Sequence, residues 1–370
     1  MEKIFNVKTK LGFGFMRLPR LADGKTIDVE TTSRMVDRFL EAGGTYFDTA
    51  FIYEGSEAAL KASLIDRHPR ESFQVATKLH TGQCPDEASA KEEFRISLER
   101  TGAGYFDYYL LHSLGKDRAH VAEDFHLWEF LQEMKEKGLV RHFGFSFHGT
   151  PEILDSILTR HPEAEFVQLQ INYADWEDSS IQAKRCYEIA EKHGKPIVVM
   201  EPVKGGTLAD PPESVLDIFR KADPDASPAS WGIRFAASLP QTAVVLSGMS
   251  APDQMEDNLS FMKDFRPLSE AEMSVIREAQ EALKKVNRIG CTGCNYCTPG
   301  CPMEIRIPDI FSVMNINLMY GKLDTARNSY TWRIGPVKAS ECIKCGQCES
   351  VCPQQLPVIR LLEETAEALE

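Results

Sequence analysis

Residues 29–49 read VETTSRMVDRFLEAGGTYFDT, and this stretch contains a helix signal followed by a strand signal. Apolar residues recur at helical spacing over Val29–Ala42, and the pair Gly43-Gly44 is typical of a helix end. The apolar run Tyr46–Thr49 follows at once and predicts a strand. The stretch therefore predicts one helix and the strand that comes after it.

The same alternation of helices and strands continues over the first 265 residues. It produces eight apolar runs, at Leu11–Met16, Tyr46–Thr49, Phe73–Lys78, Phe106–His112, His142–Phe147, Phe166–Ile171, Ile197–Glu201 and Ala243–Ser247. Nearly continuous apolar character is typical of strands that are buried on both faces, as in parallel sheets. Eight repeats over roughly 250 residues predict an α/β fold of the (β/α)8 TIM-barrel type. The alternative is an open doubly wound sheet, but Gly12-Phe13-Gly14 lacks the third glycine of a Rossmann site.

Further helices are predicted between the strands and after the last of them. Ser269 and Glu272 form the pattern of a capping box at the start of one of these helices. The predicted helices are Val29–Ala42, Asp124–Lys137, Glu152–Arg160, Ser180–Lys192, Ser269–Val286, Ile310–Tyr320 and Val358–Leu369. We therefore expect a barrel over 1–265, a linker helix over 266–288 and a mostly helical C-terminal domain over 289–370.

The composition is that of a globular protein, since 43% of the 370 residues are hydrophobic and 26% are charged. A net charge of −13 argues against general nucleic-acid binding. The N-terminus lacks the apolar stretch of a secretory signal, and no segment approaches the roughly 20 apolar residues that a membrane crossing needs. We therefore expect a cytoplasmic protein that binds neither nucleic acid nor membranes.

Eight of the ten cysteines lie after residue 290, in two runs with the same spacing. Each run has the form Cys-x-x-Cys-x-x-Cys-x-x-x-Cys-Pro and ends at Pro302 or Pro353. The runs contain Cys291, Cys294, Cys297 and Cys301, and then Cys342, Cys345, Cys348 and Cys352. This spacing is that of bacterial ferredoxins, in which cysteine thiolates hold [4Fe–4S] clusters. The runs therefore predict a ferredoxin-like domain with two [4Fe–4S] clusters.

Two ways of sharing the ligands are open. In the crossed arrangement of two-cluster ferredoxins, the fourth cysteine of each run binds the cluster of the other run. Because 40 residues separate Cys301 from Cys342, each run could instead hold its own cluster. Two zinc sites are a further alternative, although structural zinc sites typically use separated Cys-x-x-Cys pairs. Cys84 and Cys186 lie apart from the runs, and we expect them to be plain thiols.

Four polar residues lie at or just after predicted strand ends, on the face where barrel enzymes carry their chemistry. Asp48, Lys78 and His112 close the second, third and fourth predicted strands, and Tyr53 follows Asp48 by five residues. Each has an ordinary structural interpretation, as a turn cap, a solvated lysine, a core histidine or a packing aromatic. Together they predict a site, because ionisable groups at buried strand ends are costly unless they are paired.

The pattern Asp48-Thr49-Ala50-x-x-Tyr53-x-x-Ser56-Glu57, followed by Lys78 and Leu111-His112-Ser113, resembles the aldo-keto reductases. The resemblance covers about residues 1–265. With the two cysteine runs, the whole chain is similar to the subgroup of that family with a C-terminal ferredoxin-like domain. The resemblance implies an NAD(P)H-dependent oxidoreductase that transfers hydride between the nicotinamide and a small-molecule carbonyl or alcohol.

The resemblance also implies roles for the four polar residues. Tyr53 would be the general acid that protonates the carbonyl oxygen, and Lys78 would lower the pKa of Tyr53 from its ordinary value of about 10. Asp48 would keep Lys78 charged and oriented, and His112 would orient the substrate through a hydrogen bond. Loop residues expected around the substrate are Phe15, Phe51, His80 and Trp176.

For the cofactor, the resemblance assigns one set of residues to a nicotinamide dinucleotide. The set contains Met16, Asp48, Ser146, Gln168, Met200, Pro202, Gly205, Gly248, Gln254, Asp257 and Asn258. Ser146 and Gln168 would contact the carboxamide, the segment 200–206 would line the pyrophosphate, and the segment 247–258 would line the adenosine end. Many family members have cations near the 2′-phosphate where this chain has Gly248 and Gln254, although Lys204 could serve that phosphate. NADH is therefore favoured over NADPH.

Two other classes of function are open. The chain could be an electron-transfer protein that links nicotinamide or ferredoxin to a redox partner protein, since hydride transfer requires no cluster. It could also be a regulatory subunit whose clusters sense oxygen or iron, although the complete set of four polar residues argues against this. We favour the carbonyl reductase.

Overall fold

The computed structural model describes residues 4–80, 84–115, 119–179, 181–291, 293–352 and 354–370. Internal contacts divide these residues into two units. The first unit comprises the described residues of 1–177, 181–205 and 229–273, and the second those of 178–180, 206–228 and 274–370. The domain boundaries expected near residues 265 and 288 stay a prediction.

Eight parallel strands close into a barrel in the first unit. They are β1 (Leu11–Gly14), β2 (Tyr46–Asp48), β3 (Gln74–His80), β4 (Phe106–Leu114), β5 (Val140–Phe147), β6 (Phe166–Gln170), β7 (Ile197–Met200) and β8 (Thr242–Ser247). Each strand pairs with the next one in sequence, and β8 pairs with β1 in a register that sets Leu11 beside Val245. The (β/α)8 prediction is thus confirmed, and the open doubly wound sheet is excluded.

The predicted strands differ from the observed ones only near their ends. β1 stops at Gly14 and Phe15–Arg17 form a 3-10 turn, so the predicted end at Met16 was too late. β4 continues to Leu114, beyond the predicted end at His112. Apolar character shows where a chain is buried, but it does not show where its hydrogen bonds to the neighbouring strand stop.

The helices cover both units. Among the described residues they are α1 (Val29–Glu41), α2 (Ser56–Leu60), α3 (Glu87–Thr101), α4 (Ala119–Asp124), α5 (Leu127–Glu136), α6 (Pro151–Arg160), α7 (Ala183–Lys192), α8 (Glu213–Ala222), α9 (Pro228–Ser238), α10 (Pro252–Met262), α11 (Glu270–Lys285), α12 (Ile307–Tyr320), α13 (Leu323–Arg333), α14 (Gln347–Ser350) and α15 (Val358–Leu369). The predicted capping box is present, because the backbone N–H of Ser269 donates to Glu272 at 2.8 Å and Ser269 Oγ accepts from the N–H of Glu272 at 3.3 Å. None of these helices combines the length and the apolar character that a membrane crossing requires.

One predicted helix is two helices in the structure. The interval Asp124–Lys137 is divided between the end of α4 and the whole of α5, because His126 takes a φ of +48° and interrupts the helical backbone. The helix predicted from Ser180 begins at Ala183, and Ser180 itself lies outside the described residues.

Aromatic side chains fill the barrel at the amino-terminal ends of its strands. Phe5 stacks on Tyr108 with ring centroids 4.8 Å apart and meets Phe166 edge to face at 5.4 Å. Ile4 and Val7 pack against the same cluster. Offset and edge-to-face contacts of this kind stabilise a buried cluster beyond the effect of apolar burial alone. The polar residues singled out in the sequence lie at the opposite, carboxyl-terminal ends of the strands.

The second unit has an apolar core of its own. Its centre is formed by side chains of α12, α13 and α15 that are at most 2% exposed, namely Ile310, Phe311, Val313, Tyr330 and Leu362. α12 begins at Ile307, earlier than predicted, because Pro308 is accommodated in the first turn of a helix. α15 has the predicted bounds.

Candidate active site and cysteine cavities

The centre of the candidate site is a buried ion pair between the ends of β2 and β3. Lys78 Nζ donates to Asp48 Oδ1 at 2.5 Å and to the carbonyl oxygen of Thr49 at 2.7 Å. Both charged side chains are at most 5% exposed. Burial raises the pKa of Asp48 and lowers the pKa of Lys78, while the attraction between the two charges opposes both changes. Because each charge needs the other, the pair fixes Lys78 at the mouth of the barrel.

Tyr53 and His112 lie beside this pair. Lys78 Nζ is 5.4 Å from the centroid of the Tyr53 ring, and the rings of Tyr53 and His112 meet edge to face with centroids 5.9 Å apart. The structure therefore brings together all four residues singled out at the strand ends. It does so because three neighbouring parallel strands present their carboxyl ends at one rim.

The pKa of Tyr53 is shifted in the direction opposite to the expected one. Burial raises the pKa of this phenol, and the negative charge of Asp48 raises it further. Arg17 acts in the lowering direction but does not reverse the effect of burial. The Tyr53 hydroxyl consequently keeps its proton near neutral pH, which is the state that a proton donor needs.

His80 and His112 lie side by side, because they are register partners of β3 and β4. Their rings meet edge to face with centroids 5.9 Å apart, and the backbone N–H of His80 donates to Glu93 at 2.8 Å. The other expected pocket residues are engaged elsewhere. Phe15 is buried against Phe13 and Phe47, Trp176 packs on Tyr187 and Phe235, and Phe51 lies against the guanidinium of Arg100.

Ser146 and Gln168 lie at the ends of β5 and β6, where they are register partners. Ser146 Oγ accepts from the backbone N–H of Ser113 at 2.7 Å. Gln168 Nε2 donates to Asp48 Oδ2 at 3.4 Å, but Gln168 Oε1 is buried and has no hydrogen-bond partner among the described residues. A buried acceptor without a partner is costly, so it indicates a donor supplied by a ligand.

The segment after β7 has an unusual backbone. Glu201 and Lys204 have φ angles of +56° and +48°, which residues other than glycine rarely adopt, and Gly205 follows at +66°. Lys204 Nζ pairs with Asp175, a carboxylate that also accepts from Asn172 at 2.8 Å. Lys204, which the sequence left available for a phosphate, is thus committed to a buried carboxylate. Met200 and Pro202 lie in this same strand end and loop.

The residues expected at the adenosine end follow β8. Asn258 Nδ2 donates to Ser247 Oγ at 2.6 Å, and Gln254 Oε1 accepts from the N–H of Ser250 at 2.7 Å. Gln254 is exposed, Asp257 is half-buried and Gly248 begins the loop. Met16 is 55% exposed in the turn after β1. The structure therefore places these residues at the carboxyl ends of β8 and β1, which are neighbours in the barrel.

Two functional candidates were missed in the sequence. Arg17 follows Met16 and reads as an ordinary surface arginine, yet its side chain runs along Gly248 and reaches Gly205. Asp175 lies in a polar stretch with no strand signal, yet it is buried and holds Lys204. No local pattern could have revealed either residue, because both depend on partners from other strands.

The cysteines of the second unit line two cavities of similar size. One cavity, of about 320 Å³, is lined by the cysteines 301, 342, 345 and 348, and the other, of about 340 Å³, by the cysteines 291, 294, 297 and 352. Each cavity takes three cysteines from one run and the fourth from the other run, which is the crossed arrangement. Ile307 lines both cavities. Among the described residues, no three His, Cys, Asp or Glu side chains converge closely enough to hold a single metal ion.

The backbone of the two runs repeats with a constant offset of 51 residues, the separation of Cys291 and Cys342. Positive φ angles occur at three positions in or just after the first run and at the three equivalent positions of the second. These positions are Gly293, Asn295 and Glu304, and then Lys344, Gly346 and Gln355. The N–H of Ile305 donates to Cys301 Sγ at 3.4 Å. The repeat shows that each run wraps its cavity in the same way. Pro353 lies outside the described residues.

The two remaining cysteines agree with their interpretation as plain thiols. Burial raises the pKa of Cys186 to about 12. Burial and then a hydrogen bond to Glu93 raise the pKa of Cys84 to about 12. Neither thiol is a thiolate near neutral pH, so neither is a strong nucleophile.

Comparison with known proteins agrees with this arrangement. The model of the Aldo/keto reductase family matches residues 10–281, and that of the 4Fe-4S dicluster domain matches residues 290–356. An aldo-keto reductase of Mycolicibacterium vanbaalenii is 32% identical over 243 residues, which are 65% of this chain and 80% of the relative. A 9,11-endoperoxide prostaglandin H2 reductase of Trypanosoma cruzi is 27% identical over 272 residues, which are 72% and 89% of the two chains.

Solved structures share the barrel. An aldo-keto reductase from Bacillus halodurans in its holo form has a TM-score of 0.60 and 25% identity, covering 74% of this chain and 92% of that chain. The family match extends over most of the present chain, and the second match falls on the two cysteine runs. The chain therefore belongs to the aldo/keto reductase family of oxidoreductases and carries a 4Fe-4S dicluster domain after its barrel.

Proposed function

We propose that the chain transfers hydride between a nicotinamide dinucleotide and a small-molecule carbonyl or alcohol. The observation that carries this proposal is the convergence of Tyr53, His112 and the buried Lys78–Asp48 pair at one mouth of the barrel. A bound nicotinamide dinucleotide supplies the hydride. The residues of the chain supply the proton, hold the carbonyl oxygen and compensate the charge that develops on it.

Tyr53 is proposed as the proton donor. Its raised pKa keeps the phenol protonated near neutral pH, so the proton is present when negative charge develops on the carbonyl oxygen. Lys78, 5.4 Å from the ring centroid, offsets the negative charge left on the phenol after the transfer. His112, in contact with the Tyr53 ring, is proposed to donate a hydrogen bond to the same oxygen.

The described residues fit a nicotinamide carboxamide. Gln168 Oε1 is a buried acceptor without a partner, and an amide N–H₂ group is the donor that would satisfy it. Ser146 Oγ lies on the adjacent strand end. We therefore propose that Gln168 and Ser146 bind the carboxamide, with Met200, Pro202 and Gly205 beside the pyrophosphate and Gly248, Gln254, Asp257 and Asn258 toward the adenosine end.

NADH is proposed as the preferred cofactor. A 2′-phosphate needs a cation, and the pairing of Lys204 with Asp175 removes the lysine that the sequence offered. Gly248 and Gln254 provide no positive charge. The comparison of NADH with NADPH in steady-state turnover tests this preference, which predicts a higher kcat/KM for NADH.

The cysteine cavities support a second, additional function. Four thiols around each cavity are the donor set of a [4Fe–4S] cluster, and we propose that the chain holds two [4Fe–4S] clusters in the crossed arrangement. Such clusters supply one-electron transfer. Because the side chain of Ile307 borders both cavities, the two sites are close neighbours, which suits the passage of electrons between them and a redox partner protein.

An isotope experiment separates the two functions. Anaerobically prepared protein is mixed with NADH deuterated at the transferable position and with a panel of aldehydes, ketones and 2-oxo acids, and the alcohol product is analysed by mass spectrometry. Direct hydride transfer predicts one deuterium on the product carbon in ordinary water. Reduction by electrons through the clusters predicts carbon-bound hydrogen from solvent, and thus label only in D₂O. That second result, or no turnover of any carbonyl, would overturn the proposed hydride transfer.

A further inference from the structure

Trp332, near the end of α13, is the most exposed large apolar side chain among the described residues. It is 86% exposed, whereas Trp128 and Trp231 are at most 3% exposed. The buried face of α13 carries Ala326 and Tyr330. Trp332 follows Tyr330 by two residues, which is roughly 200° around an α-helix. The helix therefore directs this indole away from the core of the second unit.

The segment around Trp332 is positively charged. Residues 321–340 contain four basic side chains and one acidic side chain, in a chain whose net charge is −13. Among the residues that the structure describes, three of these four cations form no ion pair, namely Arg327, Arg333 and Lys338. Because their charge is not neutralised within the chain, they favour a partner with a negatively charged surface.

Arg327 and Arg333 lie on opposite sides of the Trp332 indole, since successive helix residues are about 100° apart. Arg327 Nε donates to the carbonyl oxygen of Ala368 at 3.0 Å, whereas the nearby carboxylate of Glu370 accepts from Tyr330 Oη at 2.6 Å. An exposed indole between two arginines has the composition of a protein interface, in which tryptophan and arginine are enriched and contribute most of the binding energy.

Arg306 connects this end of α13 to the cysteine cavities. Its Nη1 donates to the carbonyl oxygen of Arg333 at 3.2 Å. Its chain neighbours Ile305 and Ile307 line the cavity of the cysteines 301, 342, 345 and 348, and Ile307 lines the second cavity as well. The helix end that carries Trp332 is therefore in contact with a residue next to the cavity wall. A protein bound there would lie close to both proposed cluster sites.

We name the residues Arg327, Trp332, Arg333 and Lys338 the α13 patch. We propose that the α13 patch is the docking surface for a small acidic protein that carries single electrons. This inference rests on the proposed function, because it takes the two cavities as cluster sites. In the transfer, one electron leaves the reduced carrier and reduces one oxidised cluster, and no covalent bond forms or breaks. The patch provides local attraction for a carrier that the net charge of −13 would otherwise repel.

Electron transfer from an acidic flavodoxin tests this assignment. Reduced flavodoxin is mixed anaerobically with the full chain carrying its clusters, and its semiquinone is followed by stopped flow. The variants are Arg327→Glu/Arg333→Glu, Trp332→Ala and the control Lys221→Glu/Lys263→Glu, which reverses two exposed charges outside the patch. We expect the patch reversal to lower the second-order rate constant roughly 10- to 100-fold at low salt. Trp332→Ala should raise the dissociation constant of the carrier roughly 10-fold, and the control should change neither quantity by more than about twofold.

Salt dependence separates docking from a general loss of structure. The wild-type rate constant should fall steeply with ionic strength, and that of Arg327→Glu/Arg333→Glu should not fall. Equal rate constants for wild type and this variant, or equal effects of the patch and control reversals, would overturn the assignment. So would a dimer in analytical ultracentrifugation that Trp332→Ala dissociates, because a second copy of the chain would then occupy the patch.

Reduction by dithionite distinguishes a failure of this inference from a failure of the proposed function. If dithionite bleaches the clusters of wild type but flavodoxin transfers no electrons to them, the docking assignment fails and the cluster sites stand. If the anaerobic protein contains no iron and dithionite bleaches nothing, the proposed clusters fail together with this inference.

Discussion

Replacing Lys78 by methionine tests the buried ion pair at the centre of the site. The substitution keeps the length of the side chain and removes its charge. The Asp48 carboxylate, at most 5% exposed, is then left buried, and among the described residues its one remaining hydrogen bond is the long one from Gln168 at 3.4 Å. Breaking a buried pair in this way costs about 3–5 kcal/mol. That is a large part of the roughly 5–15 kcal/mol by which a domain is stable.

The cost should depend on pH in a defined direction. Lys78 now lowers the pKa of Asp48 against the effect of burial, so its removal raises that pKa further. A protein in which folding raises the pKa of a carboxyl group loses stability as the pH rises above the pKa of that group in the unfolded chain. For aspartate this unfolded pKa is about 3.9. Lys78→Met should therefore be least stable relative to wild type near pH 8, and the difference should shrink toward pH 5. The double variant Asp48→Asn/Lys78→Met should regain most of the loss.

Urea unfolding under anaerobic conditions measures these differences. Three tryptophans, Trp128, Trp176 and Trp231, belong to the barrel unit, and a Trp332→Phe background removes the one in the second unit. The control is Lys61→Met, which breaks an exposed pair with Asp66 and should cost at most about 1 kcal/mol. Equal losses for Lys78→Met and Lys61→Met, or no recovery in the double variant, would refute the argument that this pair is buried and mutually dependent.

Two more predictions concern the cysteine cavities and the loop after β7. In the crossed arrangement, Cys301→Ser/Cys345→Ser removes two ligands from one cavity and should leave about four irons per chain, whereas Cys345→Ser/Cys352→Ser damages both cavities and should leave far fewer. Iron analysis after anaerobic purification measures this, and the reverse order would indicate that each run holds its own cluster. Asp175→Asn should lower stability by about 1–3 kcal/mol at pH 7, because Lys204 and Asn172 lose their charged partner. Burial raises the pKa of Asp175, but Lys204 and the hydrogen bonds outweigh burial, so the net pKa is lowered. The stabilisation that Asp175 provides is therefore present at neutral pH and is lost as the pH falls through this lowered pKa. The urea midpoints of the two proteins should accordingly converge only below about pH 4. A separation of the midpoints that stays constant below about pH 4 would contradict this.

The barrel and the four polar residues could be predicted because each has a local signal. Strands buried on both faces are apolar throughout, and Asp48, Lys78 and His112 each interrupt such a run at its end. The cysteine runs could be recognised from their spacing alone. Spacing could not show that the residues lining each cavity include cysteines of both runs, because that depends on how the two runs fold against each other.

What could not be predicted depends on residues that are distant in sequence. The position of Arg17 matters because Gly205 and Gly248, from two other strand ends, lie along its side chain. The pairing of Lys204 with Asp175 could not be foreseen, because Asp175 carries no pattern that shows its burial. The pKa of Tyr53 was expected to fall because the charge of Lys78 was considered without the burial of the phenol, which is the larger effect.

The most direct test of the account is the turnover number of Tyr53→Phe for NADH-dependent carbonyl reduction. Tyr105→Phe is the matched control, because Tyr105 precedes β4 at the opposite end of the barrel. Removal of the proton donor should lower kcat roughly 10²- to 10⁴-fold while the dissociation constant of NADH stays the same. A kcat within a factor of two of wild type would contradict the claim that this phenol, beside Lys78 and His112, protonates the substrate.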